Sequence, residues 1–135
     1  MTEKTYNLTL TEKQATVLTR ALDLFSRIGI GQFEEVINIF RDEHLSDPEM
    51  TPERIDEARK HIDHVKFMLT GHPANGSFGI LNPRVSDDYR IAYDIQQVIR
   101  NRLAWDRRPE GGIQVQFDPP DQTSKTHPLA TIKEP

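Results

Sequence analysis

NGSFGILNPRVSDDYRIAYDIQQVIRNRLAWDRR, residues 75–108, is the stretch on which the reading of this chain turns. Its first third, Asn75 to Val85, holds Gly76, Gly79 and Pro83. With Gly71 and Pro73 just before it, this density of breakers forbids a helix. Ser86 then stands as an N-cap, with Asp87 and Asp88 in a first turn where the helix dipole favours acids. The helix is predicted to run to about Trp105, with Ile91, Ile95, Val98, Ile99 and Leu103 as its buried face. Arg90, Asp94, Gln97 and Asn101 follow at i, i+4, i+7 and i+11 and so share another face, with Tyr93 and Arg100 beside them. Such a stripe is either solvated, with an Arg90–Asp94 ion pair contributing ~0.3–0.5 kcal/mol, or it is the wall of an interface or pocket.

Three further helices are predicted upstream. Thr11 and Gln14 form a capping box for a helix from Glu12 to about Ile28, with Leu18, Leu22, Phe25 and Ile28 as its apolar stripe. Gly29-Ile30-Gly31 ends it. A second helix covers roughly Gln32 to Asp42, with Phe33, Val36, Ile37 and Phe40 at helical spacing. The polar stretch from Asp42 to Met50, broken by Pro48, is a loop. Thr51-Pro52-Glu53 opens a third helix. Its Ile55, Ala58, Ile62, Val65 and Leu69 form a seam for another helix of this chain or of a second copy.

Strand patterns lie at both ends. Tyr6, Leu8 and Leu10 alternate with Thr5, Asn7 and Thr9, a period of two. Ile113-Gln114-Val115-Gln116-Phe117 alternates in the same way after the turn Pro109–Gly112 and stops at Pro119-Pro120. Leu129 to Ile132 reads as a last short strand, beyond a loop from Asp121 to Pro128. A lone hairpin is barely stable in water. The expected fold is therefore α+β: one domain over residues 1–135, a four-helix assembly with a small antiparallel sheet built from the N- and C-terminal strands.

Composition narrows the function. One domain of 135 residues buries a modest core, and 36% hydrophobic residues leave room for a partner subunit to complete it. A net charge of −4 argues against binding polymeric nucleic acid, which draws on a basic face. Eleven of the 17 basic residues are arginine, whose planar fork matches phosphate and stacks on bases. There is no cysteine, which excludes disulfides, thiol catalysis and thiolate metal sites. The N-terminus lacks an apolar leader and no apolar run approaches ~18 residues, so the expected location is the cytosol, with no membrane partner.

Several groups carry candidate chemistry. In Gly76-Ser77-Phe78-Gly79, glycines let backbone N–H groups approach a phosphate, and Phe78 can stack on a base. The loop lacks the Gly-Lys-Ser/Thr of a nucleotide-hydrolysing phosphate loop, and its structural alternative is a turn with Phe78 in the core. Arg102, Arg107 and Arg108 flank Trp105 and suit either a phosphate with a stacking plate or the helix dipole alone. Arg20 and Arg27, seven apart, can converge around a symmetry axis as a second nucleotide site, or be two solvated side chains. Glu57, His61 and His64, with Asp63 nearby, are spaced to ligate zinc, although a solvated charged face is the commoner use of that spacing; no metal or other cofactor is expected. No nucleophile stands with a base, so no catalytic residue is assigned.

The strings YNLTLTEKQ (6–14), RIGIGQFEE (27–35), NGSFGI (75–80) and AYDIQQVIRNRLAW (92–105) together resemble phage-encoded small proteins of the type 1 Thoeris anti-defence family, over nearly the whole chain. The resemblance implies a non-enzymatic sponge that sequesters cyclic ADP-ribose isomers, the gcADPR type among them, made by bacterial TIR-domain immune enzymes. It also implies capture of cyclic oligonucleotides, such as those of CBASS defence, at a separate site. It further implies a homo-oligomer, dimers assembling into hexamers with pockets between subunits, in the cytosol of an infected host. By the same resemblance Phe78 is the stacking residue and Arg54 a stacking or phosphate-binding guanidinium. Arg100 and Arg107 then bind phosphate, and Asp88 or Asp94 accepts from ribose hydroxyls. With Ser77, Gly79 and Arg90, these complete the expected ligand site, and Arg20 and Arg27 the second one. Two competing readings remain: a protein–protein adaptor or inhibitor of a bacterial host protein, using the third helix's seam and the acidic surface, and a metal-dependent hydrolase at Glu57, His61 and His64.

Overall fold

A computed structural model describes residues 3–134. Four helices appear where the caps and breakers place them. Helix α1 spans Glu12–Gly29 and α2 spans Glu34–Glu43. Helix α3 spans Pro52–Thr70 and α4 spans Asp87–Arg107. The capping box of α1 is complete: Gln14 N–H donates to Thr11 Oγ1 at 3.1 Å, and Thr11 N–H donates to Gln14 Oε1 at 2.9 Å. Thr51 and Ser86 accept from the first turns of α3 and α4, and Gly71 closes α3 in the left-handed region at φ 74°. No helix among the described residues is long and apolar enough to cross a membrane.

The expected sheet is absent, and with it the α+β class: the described residues form four α-helices, one 3-10 turn and no strand. Residues 3–10 carry no secondary structure and join no ladder, and residues 129–132 likewise carry no strand. The reason is clearest at residues 113–117. There the chain tightens into a 3-10 turn at Val115–Phe117, closed by Phe117 N–H donating to Gln114 C=O at 3.0 Å. Phe117 is buried while Ile113 is fully exposed, so the alternating pattern does not describe a two-faced strand. The carbonyls a ladder would use are taken by side chains of α4. Asn101 Nδ2 donates to the C=O of Gln116 at 3.1 Å and of Asp118 at 2.9 Å. Trp105 Nε1 donates to Phe117 C=O at 3.2 Å.

Helix α4 is the axis of the fold. Advancing 100° per residue puts Tyr89, Ala92, Gln96, Ile99, Leu103 and Arg107 on one face and Asp87, Arg90, Asp94, Gln97 and Asn101 about 150° away. The first face meets α1, which runs antiparallel. Tyr89 lies on Phe25 at a ring separation of 4.9 Å, and Arg107 reaches Glu12 at 2.7 Å. The buried residues of α1 are Ala15 and Ser26. Neither belongs to the expected stripe of Leu18, Leu22, Phe25 and Ile28, of which Phe25 and Ile28 stay partly exposed. Small residues at the contact let the two helices approach closely. Gly29 goes furthest, since a Cβ there would lie 2.1 Å from the Tyr89 ring.

The second face of α4 holds the C-terminal segment. Asp94 accepts from Thr123 N–H at 3.0 Å, Ser124 N–H at 2.9 Å and Thr123 Oγ1 at 2.6 Å. Gln97 exchanges two hydrogen bonds with the backbone of Asp121, at 2.9 and 3.1 Å. Asp87 accepts from Thr126 Oγ1, Lys125 N–H and Ser124 Oγ. Those three donors, largest first, hold its carboxyl well below the usual range, aided by the charge of Arg90. The amide-rich stripe is therefore an interface wall, and what lies on it is the chain's own C-terminal segment, a strap from Asp118 onward.

Helices α2 and α3 form a peripheral hairpin in which Lys66 is the one buried residue, at 1% exposure. Its ammonium donates to Glu34 Oε2 at 3.3 Å and to Ala74 C=O at 2.9 Å, tying both helices to the loop after α3. The α3 seam is only partly covered by this chain: Ile55, Ala58 and Ile62 are half-buried, while Val65 and Leu69 are exposed.

Candidate functional site

Antiparallel packing of α1 on α4 sets Thr16, Thr19 and Arg20 opposite Arg100, Leu103, Ala104, Arg107 and Arg108. The 3-10 turn closes the third side with Gln114, Gln116 and Phe117. Together they line a groove of about 340 Å³, within the ~300–1,000 Å³ common for small-molecule sites. Four lining residues are arginine and none is acidic. Two threonine hydroxyls and two amides add polar contacts, and Leu103, Ala104 and Phe117 give an apolar floor.

The four guanidinium groups are not equivalent. Arg20 is held at the rim by Glu43 at 3.1 Å, Arg107 by Glu12 at 2.7 Å and by Thr16, and Arg108 by Glu110 at 3.1 Å. All three pairs are largely exposed, so each contributes little to stability and exchanges readily for another anion. Arg100 forms no hydrogen bond or ion pair among the described residues, and its Nε is buried without an acceptor. Three other buried polar atoms also lack partners: His72 Nε2, Gln96 Oε1 and Arg102 Nε. Only Arg100 belongs to the groove. A buried N–H without an acceptor is costly.

The expected ligand residues are distributed differently. Arg100 and Arg107 come together, joined by Arg20, which was expected at a second site. Arg27 stands elsewhere, engaged by Asp23 at 2.9 Å and Gln32 at 2.9 Å, so Arg20 and Arg27 do not form one site within this chain. Phe78 packs edge-on against His72 at 4.4 Å and near Gly31, beyond the C-terminus of α1. Arg107 touches Glu12, at the N-terminus of α1. Eighteen helical residues separate those ends by about 27 Å, so Phe78 and Arg107 cannot hold one small ligand within a single chain.

Ser77 and Gly79 are exposed beside Phe78, and a Cβ at Gly79 would meet nothing within 4 Å. Arg54 is exposed at the start of α3 and donates to Glu49 C=O at 3.1 Å. Asp88 is exposed in the first turn of α4. Arg90 and Asp94 are buried and occupied internally. Arg90 donates to the C=O of Ile80 at 2.7 Å, Asn82 at 2.7 Å and Val85 at 2.9 Å, while Asp94 holds the strap. Glu57 and His61 meet at 3.2 Å on α3, and no group of three potential metal ligands gathers among the described residues.

Sequence reasoning passed over Thr16, Thr19, Gln114, Gln116 and Phe117. The glutamines and Phe117 sat inside an apparent strand, and nothing in the threonine spacing marks a ligand. Arg108 carried a signal, the cluster with Arg107 around Trp105, but the aromatic on the groove is Phe117. Trp105 stands behind it, edge-on at 5.4 Å. No family model, curated protein or solved structure matches this chain.

Proposed function

We propose that this protein binds a small phosphate-bearing nucleotide in the arginine groove and holds it without reacting with it. Arg100 carries the reading: a guanidinium on the groove, with a buried N–H and no acceptor among the described residues. Arg20, Arg107 and Arg108 supply further positive charge from side chains with only exposed carboxylates to give up. Phe117, Leu103 and Ala104 offer an apolar surface for a base or ribose. The hydroxyls of Thr16 and Thr19 donate to the carbonyls of Glu12 and Ala15 in their own helix, which supports a holding role rather than attack on the ligand. The ligand class follows from the family resemblance: a cyclic ADP-ribose isomer or related cyclic nucleotide signal, sequestered as a phage anti-defence sponge.

Calorimetric titration with a cyclic ADP-ribose isomer tests this, followed by heat denaturation and recovery of the ligand. Binding and intact recovery are expected. A charge-assisted hydrogen bond contributes ~1.5–3 kcal/mol, so Arg100→Ala should weaken binding roughly 10- to 150-fold. Arg54→Ala and Phe78→Ala should leave it unchanged. Binding unaffected by Arg100→Ala refutes the groove, and degraded ligand would make the protein an enzyme.

A further inference from the structure

The N-terminal segment has the pattern of a strand and the environment of a solvated arm. Residues 3–9 are all exposed, with Tyr6 at 88% and Leu8 at 74%. Among the described residues no backbone hydrogen bond involves residues 3–10. The segment has one side-chain tether, Glu3 to His127 at 3.1 Å. A segment whose backbone N–H and C=O groups have no partner among the described residues, and whose alternation sets Tyr6, Leu8 and Leu10 on one side when extended, is a template for strand addition.

We propose that this segment pairs with the same segment of a second copy, antiparallel about Leu8, to make a two-stranded ribbon across a two-fold axis. The sequence is self-complementary in that register. Tyr6 faces Leu10 of the other copy and Leu8 faces Leu8, so both apolar sets fall on one side of the ribbon. Asn7 faces Thr9 on the other side, and no charge lies between Thr5 and Leu10 to repel its equivalent across the axis. The register runs from Thr5 to Thr11, the extended N-cap of α1, so it ends where the helix begins and leaves Lys4 outside the ladder. Pairing about Asn7 instead draws Lys4 into the ladder against the apolar Leu10. A two-stranded ribbon alone is marginal. Val17 and Phe25, apolar and exposed on α1, offer surface for its inner face to pack on.

The absence of cysteine gives a direct test. Directly opposed residues of an antiparallel pair have Cα atoms ~4.5–5.5 Å apart, within disulfide range. Under mild oxidation a Leu8→Cys chain should cross-link to a dimer on a non-reducing gel. An Asn7→Cys chain should do so much more slowly, and Leu81→Cys, exposed in the loop after α3, should stay monomeric. Wild-type protein should show concentration-dependent dimer by light scattering. Leu8→Lys, which sets like charges across the axis at an exposed site, should abolish it while leaving the helical circular dichroism intact. The proposal is overturned by wild-type protein that is monomeric at every concentration, by a dimer that survives Leu8→Lys, or by cross-linking at Asn7 as fast as at Leu8.

Discussion

Replacing Asp94 by asparagine attacks the joint between α4 and the strap. Asp94 is 2% exposed, and its carboxylate accepts from Thr123 N–H, Ser124 N–H and Thr123 Oγ1. Asparagine keeps the volume but removes the charge and turns one acceptor into an NH₂ that faces these donors. Hydrogen bonds to a charged group contribute ~1.5–3 kcal/mol each, so losing all three would cost ~4 kcal/mol or more. The measured loss is capped, because the strap can leave α4 and satisfy its N–H groups in water. The expected destabilisation is ~2–4 kcal/mol, a midpoint drop of roughly 6–15 °C for a chain of this size. Urea denaturation gives the free energy, and hydrogen exchange localises it. Protection should vanish first at Thr123 and Ser124 and persist in α1. A loss under about 0.5 kcal/mol with strap protection intact would refute the view that this carboxylate holds the segment.

Three further outcomes follow from the same geometry. Gly29→Ala, at an ordinary helix end mildly favourable, should cost ~1–3 kcal/mol by thermal melt, because its Cβ would fall on the Tyr89 ring; in a Tyr89→Ala background that added cost should disappear. Asp87 ionises well below the unfolded value of ~3.9, so the stability it contributes is complete above that pH and is lost as pH falls below it; melting from neutral pH down to acid should show this limb in the wild type and a flattened one in Asp87→Asn. Arg90→Lys keeps the charge but cannot fan out to three carbonyls, so it should cost ~2–3 kcal/mol by denaturation and open residues 79–85 to protease, while ligand binding stays unchanged.

The helices were legible because their signals are local. A capping box at Thr11 and Gln14, Thr51-Pro52-Glu53, Ser86-Asp87-Asp88 and Gly71 act within one turn of themselves, and each marks a boundary in the folded chain to within about two residues. The two faces of α4 were also present in its spacing, since Arg90, Asp94, Gln97 and Asn101 are one stripe whatever covers them. The strands were misread because alternation at Thr5–Leu10 and Ile113–Phe117 states only that a segment can be extended with two faces. Pairing is decided by whether another backbone arrives with its groups free. Here Asn101, from the stripe read as solvated or an interface wall, and Trp105, read as a stacking plate, take the carbonyls at Gln116–Asp118.

The candidate site divides in the same way. The abundance of arginine, and the individual residues Arg20, Arg100 and Arg107, came from sequence. Which of them meet did not, because residues 80 positions apart are joined only when α1 lies antiparallel on α4. That packing sets Arg20 beside Arg100, strands Phe78 at the far end of an 18-residue helix, and leaves the Arg100 guanidinium without a partner among the described residues. Local hydrogen bonding and periodicity determined the elements. Only the close approach of small residues between two helices, and the competition of their side chains for distant carbonyls, decided what those elements hold between them.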